Sequence, residues 1–379
     1  MRKSSLMRRF FVFFLFFSVL LIFYIQAQMV KIKQENGVTV VYNPKKPAPL
    51  PGMPTKLILT EDLRIGVESG DENYMFSSLS SVQVDEEGDI IVFDRKEVCI
   101  KVFNKNGKFL RKFGKEGQGP GEIQSPYKIH LAGGKDITIM DRGNNRFSYY
   151  SKDGRCIKEI GVGKYRLFMA LADSRGYIYG YLVTLGDKVT LDLIKFNQEF
   201  RPIMTITSRE MPKKPPPAEL TEFFHFHVIE DDSFIWGRTF KYELNILDRD
   251  GKLVKRIVKD YDPIKITKEN LKREYKRRYP DRPLPVKLLK IPDHWPKHYP
   301  IFYYFLCDDE GRIYVRTYER DKQDHIYYDV FDSEGRYFAK FSHPDNELIT
   351  VIKNKKAYCL IKTNEEGIPL IERYKMEWK

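Results

Sequence analysis

Five cations recur at similar places in a repeated strand pattern: Arg95, Arg142, Arg238, Arg316 and Lys362. Arg95 and Arg142 occupy equivalent positions, and Lys362 falls close to that register. Arg238 (IWGRTF) and Arg316 (IYVRTY) are read two residues earlier, which keeps them on the same face of a strand. Guanidinium and ammonium groups converging from several strands can bind a carboxylate, sulfated or phosphorylated group through charge-assisted hydrogen bonds. The opposing reading gives each cation a neighbouring acid, such as Asp94, Asp141 or Glu319, and a purely structural turn.

Other chemistry-bearing residues are sparser. His225 and His227 alternate on one apolar run, and His294 and His298 flank Trp295-Pro296-Lys297. A zinc or calcium site at either pair would need a third ligand that the sequence alone does not name, so no metal is assigned. Cys99, Cys156, Cys307 and Cys359 are scattered without a CxxC pair and read as reduced thiols, although an oxidising compartment would permit pairing. Gly117–Glu122 (GQGPGE) lacks the Lys-Ser/Thr of a phosphate loop, and its glycines suit a tight crossover. There is no G-x-S-x-G, H-E-x-x-H or EF-hand pattern. No catalytic residue and no cofactor follow from the sequence.

The elements that must position these residues repeat. Six units of short, β-branched and aromatic strands begin near Gly88, Gly134, Gly176, Ser233, Gly311 and Lys355, with steps of 46, 42, 57, 78 and 44 residues. The short steps match a four-stranded propeller blade of roughly 40–50 residues, and the long ones are insertions. Asn106-Gly107 and Asp153-Gly154 suit primed hairpin turns. An apolar strand precedes each unit: Leu79–Val84, Tyr127–Leu131, Phe168–Ala172, Phe224–Ile229, Phe302–Cys307 and Leu348–Ile352. These are the expected innermost strands. The last unit runs out after three strands, and Lys56–Ile65 is the spare strand that would complete it and hide two edges. The fold class is therefore all-β, a six-bladed propeller closed by an N-terminal strand, with one helical, basic insertion at 260–299.

DRGNNRFSYY (Asp141–Tyr150) resembles the Asp-x-x-Asn-x-Arg core of the NHL repeat, and FGKEGQGPGEIQSP (Phe113–Pro126) resembles the blade linker of exported bacterial NHL-like propellers. The leading VTVVYNPKKP is similar to their N-terminal segment. The resemblance is motif-level over the first two blades and pattern-level from residue 165 onward. It implies six blades. Its members bind proteins, RNA or small ligands, and a few are enzymes, so function does not follow from the fold.

The ends and the charge complete the reading. The chain of 379 residues carries a formal +13. Arg2, Lys3, Arg8 and Arg9 precede an apolar run, Phe10–Ile25, that is shorter than the roughly 20 residues of a spanning helix. Residues 1–27 thus read as a signal peptide or an N-terminal anchor through 10–25, and the body as exported, periplasmic or secreted. Residues 28–55, with five prolines, read as an extended tether to a propeller at 56–379. Removing the four leader cations leaves +9. Residues 252–298, with fifteen Lys/Arg and six Asp/Glu, carry that same +9. Within them Thr267 can cap a helix to about Arg278, supported by Glu269–Arg273 and Glu274–Arg278 pairs. The basic segment 262–298 is either a solvated surface or a contact for anionic lipid; nucleic acid is disfavoured by export. The expected function is an exported binding scaffold for a protein, anionic small molecule or glycan. The alternative is a propeller enzyme (lyase, lactonase or glycan hydrolase) acting at the channel mouth.

Overall fold

Two kinds of strand alternate along the chain. β5 (Ile90–Asp94) and β6 (Cys99–Phe103) are buried at every residue, whereas β7 (Phe109–Phe113) is nowhere fully buried. The first pattern belongs to strands covered on both faces, the second to an outer strand in partial contact with water. A computed structural model describes residues 29–379 except 166, 230, 279–281, 286–290 and 365. The leader and anchor readings fall outside the described residues.

Six sheets radiate about one axis. Blade one is β4 (Leu79–Val84) with β5, β6 and β7. Blade two is β8 (Pro126–Ala132), β9 (Asp136–Asp141), β10 (Arg146–Tyr150) and β11 (Cys156–Gly161). Blade three is β12 (Leu167–Ala172), β13 (Ile178–Thr184), β14 (Thr190–Phe196) and β15 (Pro202–Glu210). Blade four holds β16 (Phe224–Val228), β17 (Phe234–Arg238), β18 (Glu243–Leu247) and β19 (Leu253–Lys259). Blade five is β20 (Phe302–Cys307), β21 (Ile313–Arg320), β22 (Ile326–Phe331) and β23 (Tyr337–His343). Blade six is β24 (Glu347–Lys353), β25 (Lys356–Ile361) and β26 (Leu370–Trp378), completed by β3 (Leu57–Ile65). The expected closure holds: β3 runs antiparallel to β26 from Ile65↔Ile371 to Leu57↔Trp378.

The core is divided by interface rather than by blade. Six apolar clusters each draw on two adjacent blades, and together they go round the ring. Phe147 and Phe196, for example, meet between blades two and three, and Ile65, Ile371, Leu79 and Val92 meet across the closing seam. Each fully buried side chain of this size contributes roughly 1.5–3 kcal/mol, so a sheet without its neighbours would lose most of its stabilisation.

Three local expectations are corrected. The Val-rich start of residues 28–55 is not a free tether. β1 (Lys31–Glu35) and β2 (Val38–Asn43) form a hairpin, and β2 pairs parallel to β19, making blade four six-stranded. Val40 and Val41 are buried there because β2 covers the outer edge of the blade. Second, the turns at Asn106-Gly107 and Asp153-Gly154 are not two-residue primed turns. Only the glycines adopt positive φ (80° and 90°), and Gly107 N–H bonds Asn104 O at 2.8 Å. These are type I turns followed by a left-handed glycine, and the strand register shifts beside each. A Cβ on Gly154 would lie 2.5 Å from Phe113. Third, helix α1 (Lys268–Arg278) begins as expected, with Thr267 Oγ1 accepting from Asn270 N–H and Asn270 Oδ1 accepting from Thr267 N–H. Its charges also reach outward to blade five: Glu274 pairs with Arg320 at 3.0 Å, and Arg273 lies 4.0 Å from Asp324. Leu271 is buried with Leu220, Ile266 and Tyr299, so the insertion is packed onto the linker side of the ring.

Candidate functional site at the linker-side channel mouth

Blade linkers and the turns between second and third strands share one face of the ring. On that face the NHL-like motif is a clamp. Asp141 is buried, and its carboxylate accepts from the backbone N–H groups of Gln124, Ser125, Gly143 and Asn144. Asn144 donates to Gly117 O at 2.9 Å, and Arg146 donates to Gly119 O at 2.8 Å. The Gly-rich linker is thereby tied to the turn of the blade it enters. Asp94 does the same in blade one, accepting from Ser77, Ser78, Lys96 and Glu97. Both acids spend their oxygens on backbone N–H groups of the linker and turn.

The register sorts the five cations. Asp94, Asp141 and Ile361 each pair with the first residue of their inner strand: Leu79, Pro126 and Glu347. Arg95, Arg142 and Lys362 therefore stand at one equivalent position, all exposed. Arg238 pairs with Phe224 and so sits one residue earlier, not two, which turns it to the opposite sheet face. Thr317 pairs with Phe302, so Arg316 is two residues earlier as read. Arg238 is held by Glu222 through two hydrogen bonds of 2.9 and 3.0 Å. Arg316 is buried against Asp345 and lies 5.1 Å from the Tyr303 ring. Both guanidiniums are thus already engaged by carboxylates, and the free charge at the mouth must come from elsewhere.

It comes from an inner-strand lysine together with the rim cation Lys362. A residue on an innermost strand that remains accessible can face only the channel or its mouth. Tyr127 and Lys128 on β8, and Tyr303 on β20, are exposed in this way, at the ends nearest the linkers. Lys128 is walled by the surrounding blades. Burial holds its pKa below the usual lysine value, and the Lys362 ammonium lowers it further. No carboxylate among the described residues pairs with either lysine. Deeper along the channel stand His225, His227 and His130. His225 Nε2 contacts Phe305 O at 3.0 Å, and its ring packs edge-on to Phe305. Burial, then the Lys128 charge, brings His225 down to about 3. Burial and the proximity of His227 bring His130 to about 3, against the opposing pull of a hydrogen bond to Ala172 backbone. At neutral pH His130 and His225 are therefore neutral imidazoles beneath a pair of ammonium groups. His294 and His298 lie exposed in the insertion, away from this column. The four cysteines are free thiols, with Cys99 and Cys359 buried.

A family model described as a 6-bladed beta-propeller, DUF5128, matches residues 67–260, just over half of the 379 residues. The chain belongs to the DUF5128 family. Two solved structures show the same fold. A candidate exported protein of Bacteroides fragilis NCTC 9343 superposes with a TM-score of 0.53 at 11% identity, covering 89% of this chain and 99% of its own. A DUF4221 member from Bacteroides vulgatus ATCC 8482 superposes at 0.50 and 11%, covering 86% and 99%. No functionally curated protein matches the chain. Among the described residues of this DUF5128 propeller, no helix is long and apolar enough to cross a membrane.

Sequence reading of the DUF5128 chain found the rim arginines and missed Lys128 and His130. Their signal was present: YKIH interrupts an inner strand with two polar residues, as HFH does in blade four.

Proposed function

We propose that this DUF5128 propeller is an exported binding scaffold whose linker-side channel mouth takes a small anionic group, a carboxylate, sulfate or phosphate. Lys128 and Lys362 supply the charge, and Tyr127 and Tyr303 offer ring faces beside it. The observation that carries this reading is that Lys128 on β8 and Lys362 just after β25 both stand exposed at the linker-side ends of their strands, with no carboxylate partner among the described residues, and that the Lys362 charge lowers the Lys128 pKa. Such a pair opposes itself in a protein-walled channel, and a bound anion converts that repulsion into attraction. The rim arginines are secondary, because Glu222 and Asp345 already occupy Arg238 and Arg316.

The test is a thermal-shift and calorimetric screen of phosphate, sulfate, citrate and sulfated oligosaccharides. At least one should raise the melting temperature of the wild type with saturable, salt-sensitive binding. Lys128→Ala with Lys362→Ala should abolish that shift while the ring stays folded. No response to any anion, or full response in the double variant, would overturn the reading. The enzyme alternative finds less support at this point, because His130 and His225, brought down to about 3, are weak proton acceptors at neutral pH.

A further inference from the structure

Between blades five and six, away from the lysine pair, three donor groups converge on one point. His343 ends β23, Glu347 begins β24 and Cys359 lies within β25. One ligand atom from each lies within 4.8 Å of the others, and this is the one such group among the described residues. His343 Nε2 is 3.4 Å from Cys359 Sγ and 3.1 Å from Glu347 Oε2. His343 and Cys359 are buried, and Glu347 is partly so.

The arrangement is not a catalytic relay. A nucleophile–histidine–acid relay uses the two ring nitrogens separately, one toward the thiol and one toward the acid. Here both partners address the same nitrogen. That nitrogen carries either a proton or a lone pair, so it can satisfy only one of them. A centre shared by all three resolves the conflict. Tetrahedral zinc, with bonds of about 2.3 Å to sulfur and 2.0–2.1 Å to nitrogen and oxygen, separates its ligand atoms by roughly 3.3–3.6 Å. The two contacts fall within a few tenths of an ångström of that spacing. Thiolate, imidazole and carboxylate together are a zinc donor set, whereas calcium and magnesium require oxygen ligands throughout.

The surroundings fit a cation. Tyr374 OH lies 2.9 Å from Glu347 Oε2 and 2.7 Å from Glu372 Oε2, and its single proton can serve only one carboxylate. Arg64 balances Glu372 from the far side at 2.7 Å. The short link from His343 to Glu347 is fixed as well, because Asp345 within it is held by both Arg316 and Arg320. Two ligands are thus preset before any ion arrives.

We propose that His343, Glu347 and Cys359 form a zinc-binding site that pins blade six to blade five, with a water or Glu372 in the fourth position. Binding replaces the thiol proton of Cys359, which is released to solvent. The site is independent of the anion reading and can stand or fall without it.

The experiment loads the metal-stripped full chain with Co2+ and then displaces it with Zn2+. The expected result is one ion per chain, a near-ultraviolet thiolate-to-cobalt charge-transfer band and the visible bands of a tetrahedral centre. Cys359→Ser should lose the charge-transfer band, and Tyr374→Phe should weaken zinc about ten- to a hundredfold by freeing a ligand carboxylate. A folded wild type that takes up cobalt without the sulfur band, or takes up none, would overturn the proposal. So would Cys359→Ser binding zinc as tightly as wild type. If a variant fails to fold, the wild-type spectrum alone decides.

Discussion

Asn43 and Tyr337 are 294 residues apart and share a buried hydrogen bond: Tyr337 N–H donates to Asn43 Oδ1 at 2.7 Å. Asn43 Nδ2 in turn donates to Gly335 O at 2.9 Å. One amide at the end of β2 thus fastens the N-terminal hairpin on blade four to the outer strand of blade five. Asn43→Leu leaves the Gly335 carbonyl and the Tyr337 N–H unpaired in a buried place. It should cost roughly 1–3 kcal/mol, read as a lowered denaturation midpoint at unchanged slope.

The seam where the ring closes should be equally sensitive. Ile65 is buried against Ile371 and Leu79, residues of blades six and one. Ile65→Ala should cost about 2–5 kcal/mol and lower the thermal midpoint, while Ile32→Ala on the exposed hairpin strand β1 should be nearly neutral.

The NHL-like clamp is expected to be structural. Asp141→Ala removes the acceptor for four backbone N–H groups and should destabilise by roughly 2–4 kcal/mol. Asp141→Asn keeps one side-chain oxygen acceptor and should cost less. Protease cleavage within Gly117–Gly121 should accelerate in Asp141→Ala first, because Asn144 and Arg146 are oriented by the same turn.

Charge at the channel mouth separates two sets of residues. Arg238→Gln should leave anion binding within twofold of wild type, because its guanidinium is held by Glu222. Lys128→Ala alone should weaken binding at least tenfold and reduce its salt dependence, both read by calorimetry at two ionic strengths.

Acid should weaken the ring through its channel. The unfolded chain protonates its histidines near 6.5, while His130 and His225 stay neutral in the fold to about 3. Between those values the unfolded state binds more protons, so stability rises with pH. The contribution is intact above about 6.5 and is lost progressively as pH falls toward 3. The His130→Gln, His225→Gln double variant should show a shallower loss of stability over that window in urea titrations at stepped pH.

Much of this architecture was legible in the residues. The six inner strands, the closing role of Lys56–Ile65 and the start of α1 follow from alternation, turn chemistry and capping, which are local. What escaped depended on where distant segments meet. VTVVYN alternates like a strand, but nothing local says that it pairs parallel to β19. The place of Arg238 differs by one residue from the strand pattern because its register is set by pairing with Phe224. Lys128 and His130 gain meaning only once six inner strands surround one channel. His343, Glu347 and Cys359 span a blade linker, and their convergence is a property of how two sheets stack.

β3 and β26 are neighbours in space and opposites in time. On the ribosome the Leu57–Ile65 segment emerges long before its partner Leu370–Trp378. Every blade made in between has a raw flank waiting for the next. The nascent molecule therefore stays open-ended until its last strand arrives beside one of its earliest.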